Sequence, residues 1–142
     1  TPTTPLIVSM SKALRLANEN INNKYNHIKE LNDILRDKLG NYSNVHINST
    51  NKSIPHILNF SVVGIKPETM LHALESYDIY ISTQTACSTG TTSKSVYALT
   101  KDEKRANSSI RVSLSHLTTK EEINYFLDCF DKCYKNLKLK LQ

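Results

Sequence analysis

A chain of 142 residues, 39% hydrophobic and 22% charged, is sized for one ordinary domain spanning 1–142 and is too short for two large ones. No apolar run approaches the ~20 residues of a membrane span. The opening Thr1-Pro2-Thr3-Thr4-Pro5 lacks the basic and apolar regions of a secretory signal and reads as a cut through a longer chain. The net charge of +5 raises the question of nucleic acid, but only four of the eighteen basic residues are arginine and the lysines are scattered. A solvated lysine surface with no direct nucleic-acid partner is therefore the expectation.

In chain order, Met10, Leu14, Ala17, Ile21, Tyr25, Ile28, Leu31 and Leu35 recur three or four apart, and Gly40 stands where a C-terminal cap belongs. This predicts one long helix from Leu6 to Leu39. A short Val45-His46-Ile47 segment follows, and then Leu58, Phe60 and Val62 alternate with Asn59 and Ser61 up to Gly64, which predicts a strand. Pro67 at a first helical position, with Met70, Leu71 and Leu74 on one face, predicts a short helix to about Ser76.

Ile79-Tyr80-Ile81 reads as a further strand leading into Ser82–Thr92, a surface loop of eleven small or polar residues. A short helix is expected around Ser95 to Thr100. Ile110, Val112 and Leu114 then alternate with Ser109, Arg111 and Ser113 as a strand. Thr119 and Glu122 form a capping box before a terminal helix with the stripe Ile123, Phe126, Leu127, Phe130, Tyr134 and Leu137. The order predicts an α+β fold, helices packed on a small, mainly antiparallel sheet.

Three cysteines without a disulfide framework point to a reducing compartment, so the cytoplasm is expected. Cys129 and Cys133, four apart on the terminal helix, are assigned to packing. The histidines at 27, 46, 56, 72 and 116 are scattered and no Cys-x-x-Cys occurs, so no metal site is expected. Cys87 differs: it follows a strand, lies among hydroxyl residues and lacks large apolar neighbours to bury it. A free thiol of pKa ~8.5 is mostly protonated at neutral pH, so a nucleophilic role needs a cation or base nearby. His116 offers a Cys/His dyad, and the plain alternative is a small residue tolerated in a loop. Arg111, on the polar side of a strand that otherwise looks buried, is either a surface arginine or the fork that receives a carboxylate.

Taken together, Ser82-Thr83-Gln84-Thr85-Ala86-Cys87-Ser88-Thr89-Gly90, the segment Ser93 to Leu99, Ser108-Ser109-Ile110-Arg111-Val112-Ser113-Leu114 and Thr118-Thr119-Lys120-Glu121-Glu122-Ile123 resemble the C-terminal part of NifS-like cysteine desulfurases. These are pyridoxal-phosphate enzymes of the class V aminotransferase family. The opening Thr1–Val8 resembles the segment that enters the family's long helix, so the resemblance covers essentially the whole chain. It implies the small C-terminal domain of a fold-type I pyridoxal 5'-phosphate transferase, whose large cofactor-binding domain is absent here.

The activity implied is removal of sulfur from L-cysteine, giving L-alanine and a persulfide on Cys87, with Arg111 binding the substrate carboxylate. Thr1 matches a threonine that contacts the cofactor phosphate of the neighbouring subunit in a homodimer. The sulfur would pass to an acceptor protein, an iron–sulfur scaffold or a tRNA-thiolation enzyme, and this chain alone would be inactive. Other readings are a stand-alone sulfur-relay module receiving persulfide on Cys87, or another class V enzyme such as a selenocysteine lyase or an aminotransferase. Gln84-Thr85, Thr100 and Ser115-His116 depart from the family's usual residues.

Overall fold

The computed structural model describes residues 2–83 and 92–139. Six helices and three strands follow in chain order: α1 (Thr4–Asn18), α2 (Ile21–Leu39), β1 (Val45–Ile47), β2 (Ile57–Val62), α3 (Pro67–Glu75), α4 (Lys94–Thr100), α5 (Glu103–Asn107), β3 (Ser109–Ser113) and α6 (Lys120–Leu139). The strands form one antiparallel sheet in the order β1-β2-β3. The expected α+β arrangement is present.

The period-2 alternation in β2 and β3 gives the sheet two unlike faces. Leu58, Phe60, Val62, Ile110 and Val112 are buried against Ile28, Leu31 and Leu35 of α2, Met70 and Leu74 of α3, and the stripe of α6. Phe130 is the aromatic centre, edge-on to Tyr42 at 5.4 Å and to Phe60 at 5.9 Å. Cys129 and Cys133 are both buried in this core, as packing requires; desolvation raises the Cys133 thiol. The opposite face carries Asn59, Ser61, Ser109 and Arg111, and α4 and α5 lie on its side, with α5 contacting β2.

Local chemistry accounts for most boundaries. Pro67 opens α3 at a position where its missing N–H costs nothing. The Thr119/Glu122 capping box forms in both directions: Thr119 N donates to Glu122 Oε2 at 2.8 Å and Glu122 N donates to Thr119 Oγ1 at 3.2 Å. Gly64 follows β2 with φ +96°, a conformation that other residues rarely adopt.

Two expectations are corrected. The single helix from Leu6 to Leu39 is two helices, because Asn20 takes the left-handed conformation (φ 57°), which asparagine tolerates better than most residues. Ile79-Tyr80-Ile81 is not a strand. Its side chains do alternate, Ile79 and Ile81 against the core and Tyr80 outward, but only Ser82 reaches the edge of β3, in one isolated bridge to Arg111. Helix α5 was not foreseen; five residues are too few to show a period, and its Asp102 cap, accepting from Lys104 N and Arg105 N, is the only local signal.

Candidate functional site

The polar face of the sheet and α4 line a cavity of about 200 Å³ whose wall includes Asn48, Asn59, Thr83 and Arg111 together with the apolar Val96 and Leu99. Arg111 reaches it from the middle of β3. Its backbone turns away from β2 toward Ser82: Arg111 N donates to Ser82 O at 2.6 Å, and Ser82 N donates to Arg111 O at 3.1 Å. The side chain makes one described hydrogen bond, from Nη2 to Ser82 Oγ at 3.2 Å. Its Nε is buried and has no hydrogen-bond partner among the described residues. An unmet donor at a sealed position costs about 1–3 kcal/mol, so the guanidinium is held here at a cost.

Beside Arg111 lies a connected set of amides. Arg105 donates to Asn48 Oδ1 from Nε at 3.1 Å and from Nη2 at 2.7 Å, and Nη2 also donates to Ile47 O at 3.0 Å. Asn48, only 6% exposed, donates from Nδ2 to Asn59 Oδ1 at 2.8 Å and to Ser61 Oγ at 2.7 Å. Asn59 is the register partner of Arg111 across the strands. The 48–56 segment is tied down from outside as well, by Arg36 donating to Ser49 O at 2.8 Å and by Asn32 donating to Pro55 O at 2.9 Å.

The ends of the Ser82–Thr92 segment are anchored at the same place. Ser82 is bridged to Arg111, Ser93 N donates to Ala106 O at 3.0 Å and Thr92 Oγ1 donates to Asn107 Oδ1. Cys87 itself and Thr1 lie outside the described residues. So does the Cys87 half of the Cys/His dyad; His116 is exposed in the turn before α6. Among the described residues no group of three or more His, Cys, Asp or Glu is placed to hold a metal ion, and no described helix is long and apolar enough to cross a membrane. Sequence reasoning selected Arg111 and missed Arg105, Asn48 and Asn59. Their grouping depends on strand register and on a contact 57 residues apart in the chain, and neither leaves a local pattern.

A layered α+β domain with an arginine on the guarded polar face of its sheet is the class of protein that these features define. The family described as Aminotransferase class-V matches residues 1–126, and the chain belongs to that family. It is 36% identical over 137 residues to a protein named Cysteine desulfurase IscS from Buchnera aphidicola subsp. Baizongia pistaciae, covering 93% of this chain and 33% of that one. Among solved structures, one titled NIFS-LIKE PROTEIN superposes with a TM-score of 0.78 at 29% identity, over 98% of this chain and 35% of that one. A NifS-like protein from Rickettsia africae superposes with a TM-score of 0.71 at 30% identity, over 84% of this chain and 31% of that one. The chain thus spans about a third of the length of the relatives it matches.

Proposed function

We propose that the protein of which this chain is the C-terminal small domain is a pyridoxal-phosphate-dependent cysteine desulfurase. The observation that carries the reading is the Arg111 guanidinium at the cavity wall, beside Ser82 at the start of the segment that bears Cys87. Arg111 would take the carboxylate of L-cysteine, which its planar fork suits. Cys87 is four residues beyond Thr83, a contour of at most about 14 Å, so a thiol on that segment has the reach to meet the sulfur of a substrate held at Arg111.

In the reaction, the Cys87 sulfur attacks the substrate sulfur. A sulfur–sulfur bond forms as the carbon–sulfur bond of cysteine breaks. Cys87 gives up its proton, the substrate carbon is reduced and gains one, and the outer sulfur of the new persulfide keeps the other. Membership of the family implies dependence on pyridoxal phosphate in general, and that cofactor supplies the electron sink which weakens the carbon–sulfur bond. The residues around the cavity do not fit the cofactor itself, since among the described residues no lysine lines the cavity to join its aldehyde and no carboxylate to pair with its ring nitrogen. They fit the anionic end of an amino acid. The resemblance leaves the cofactor to the rest of the protein, with Thr1 meeting the phosphate of the neighbouring subunit in a homodimer.

The acceptor of the sulfur would be another protein, an iron–sulfur scaffold or a tRNA-thiolation enzyme, and the setting the cytoplasm. Direct nucleic-acid binding gains no support from the arginines: Arg36 and Arg105 are engaged in internal hydrogen bonds, Arg15 lies beside Glu19, and Arg111 is a single cation on the cavity wall.

The test is mass spectrometry of the full-length protein after incubation with L-cysteine, repeated with Cys87→Ala. An added sulfur on the Cys87 peptide, with alanine production lost in the variant, is the expected result. Product formation that survives Cys87→Ala would instead assign the fold to transamination or to lyase chemistry that does not use Cys87.

A further inference from the structure

Two amides beside Arg111 have their orientations forced by chemistry. A guanidinium has only donors, so the atom of Asn48 that receives Arg105 Nε and Nη2 must be its oxygen. The Asn48 nitrogen then faces Asn59, and the atom of Asn59 that receives it at 2.8 Å must again be an oxygen. The end of Asn59 left over is the Nδ2 amine. No described group accepts from it, yet it is not among the sealed, unpartnered atoms, where Arg111 Nε stands alone. Asn59 and Arg111 both line the cavity, and Nδ2 is the end of the Asn59 amide that is left without an accepting partner among the described residues.

Asn59 and Arg111 are also as close as two strand residues come. The backbone of Asn59 bonds toward β1, with Asn48 N donating to Asn59 O at 2.8 Å, while that of Arg111 bonds toward Ser82. They form a pair without mutual backbone hydrogen bonds, the geometry with the shorter side-chain separation. The Arg111 nitrogen Nη1 has no described partner and is not sealed either.

We propose that Asn59 Nδ2 is a second donor to the substrate carboxylate beside Arg111. In this arrangement Arg105 and Asn48 are positioning residues, which make Asn59 present its N–H and not its carbonyl. The alternative flip would set an oxygen next to Arg111 that competes with the substrate for the guanidinium. The inference rests on the carboxylate-site reading above and assigns determinants of amino-acid recognition that lie outside its nucleophile and its arginine.

The decisive variant is Asn48→Asp. It keeps the shape and strengthens the contact to Arg105, but has no donor for Asn59, so the Asn59 amide turns over to donate to Asp and shows its carbonyl to the cavity. In full-length, cofactor-loaded protein, calorimetric binding of the product L-alanine is compared with that of ethylamine, which lacks the carboxylate. Asn59→Ala and Asn48→Asp should each weaken L-alanine by roughly tenfold or more, the scale of one hydrogen bond to a charged group, and leave ethylamine unchanged. With Asn59→Ala already present, Asn48→Asp should add nothing, an outcome that a merely structural role for Asn48 does not produce. Wild-type L-alanine affinity in both single variants, with binding lost in Arg111→Ala, would overturn the inference and leave the Arg111 site standing. Unchanged affinity in Arg111→Ala as well would overturn both.

Discussion

Helices α1 and α6 carry the same message in sequence, apolar residues three or four apart along one face, yet they end in opposite surroundings. Ile123, Phe126, Phe130 and Tyr134 of α6 are buried against the sheet. In α1 no residue is buried, and Met10, in the middle of its stripe, is 76% exposed. Periodicity reports that a helix has an apolar face; it does not report where the partner of that face lies. For α6 the partner is the sheet of this chain. For α1 none exists among the described residues, in a chain that spans about a third of its relatives. The broken backbone at Asn20 marks the boundary between the two regimes, with the buried part of the α2 stripe starting only at Ile28.

The sharpest way to break this contrast is to remove the centre of the α6 stripe. Phe130 is fully buried and meets the rings of Tyr42, Phe60, Phe126 and Tyr134. Phe130→Ala should cost about 3–5 kcal/mol, read as a lowered midpoint in urea with an unchanged slope. A cost below ~1 kcal/mol would mean that α6 is not the member that closes the core.

That contrast also marks how far sequence carries. The strands β2 and β3, the capping box at Thr119 and the α6 stripe were legible because each is written in neighbouring residues: a period, a cap, a proline. Arg111 was legible for the same reason, as a charge on the polar side of an alternating strand. What escaped depends on distance in the chain. The backbone turn at Asn20 is a single left-handed residue in a run that keeps its helical period. Ser82, not Ile79–Ile81, meets the sheet because only there does the chain come alongside β3. The amides of Asn48 and Asn59 acquire direction only when Arg105 is folded onto them. At the candidate site the nucleophilic role proposed for Cys87 rests on the family resemblance, while Arg111 is described at the cavity wall.

A smaller effect is expected at the outer side of α6. Tyr42 donates to Asp131 Oδ1 at 2.9 Å, and Lys135 Nζ lies 2.6 Å from Asp131 Oδ2. Burial, and then the bond to Asp131, push the Tyr42 phenol up to about 12 from its ordinary 10.0. The folded state therefore holds this proton more tightly than the unfolded state. The stability it contributes is fully present below about pH 10 and is lost as pH rises toward 12. Phenolate absorbance should show a component titrating near 12 that Tyr42→Phe removes. If the wild-type and variant curves differ only near pH 10, the contact between Tyr42 and α6 does not persist in solution.

The smallest effect belongs to α1, and it sharpens the comparison from the other side. Leu14 is 61% exposed on a helix with no buried residue. Leu14→Ala removes little surface that folding of this chain had taken from water, and alanine is the better helix former. Its cost should stay within about 0.5 kcal/mol, roughly a tenth of the Phe130→Ala effect, although the two leucine- and phenylalanine-bearing stripes look alike in sequence. The measurement is the same urea midpoint, taken at two protein concentrations. A cost near that of a buried leucine would show that the α1 stripe is covered after all. If that cost also grew with concentration, the cover would be a second copy of the chain, and the distinction between an internally satisfied helix and an unpartnered one would hold for the single chain only.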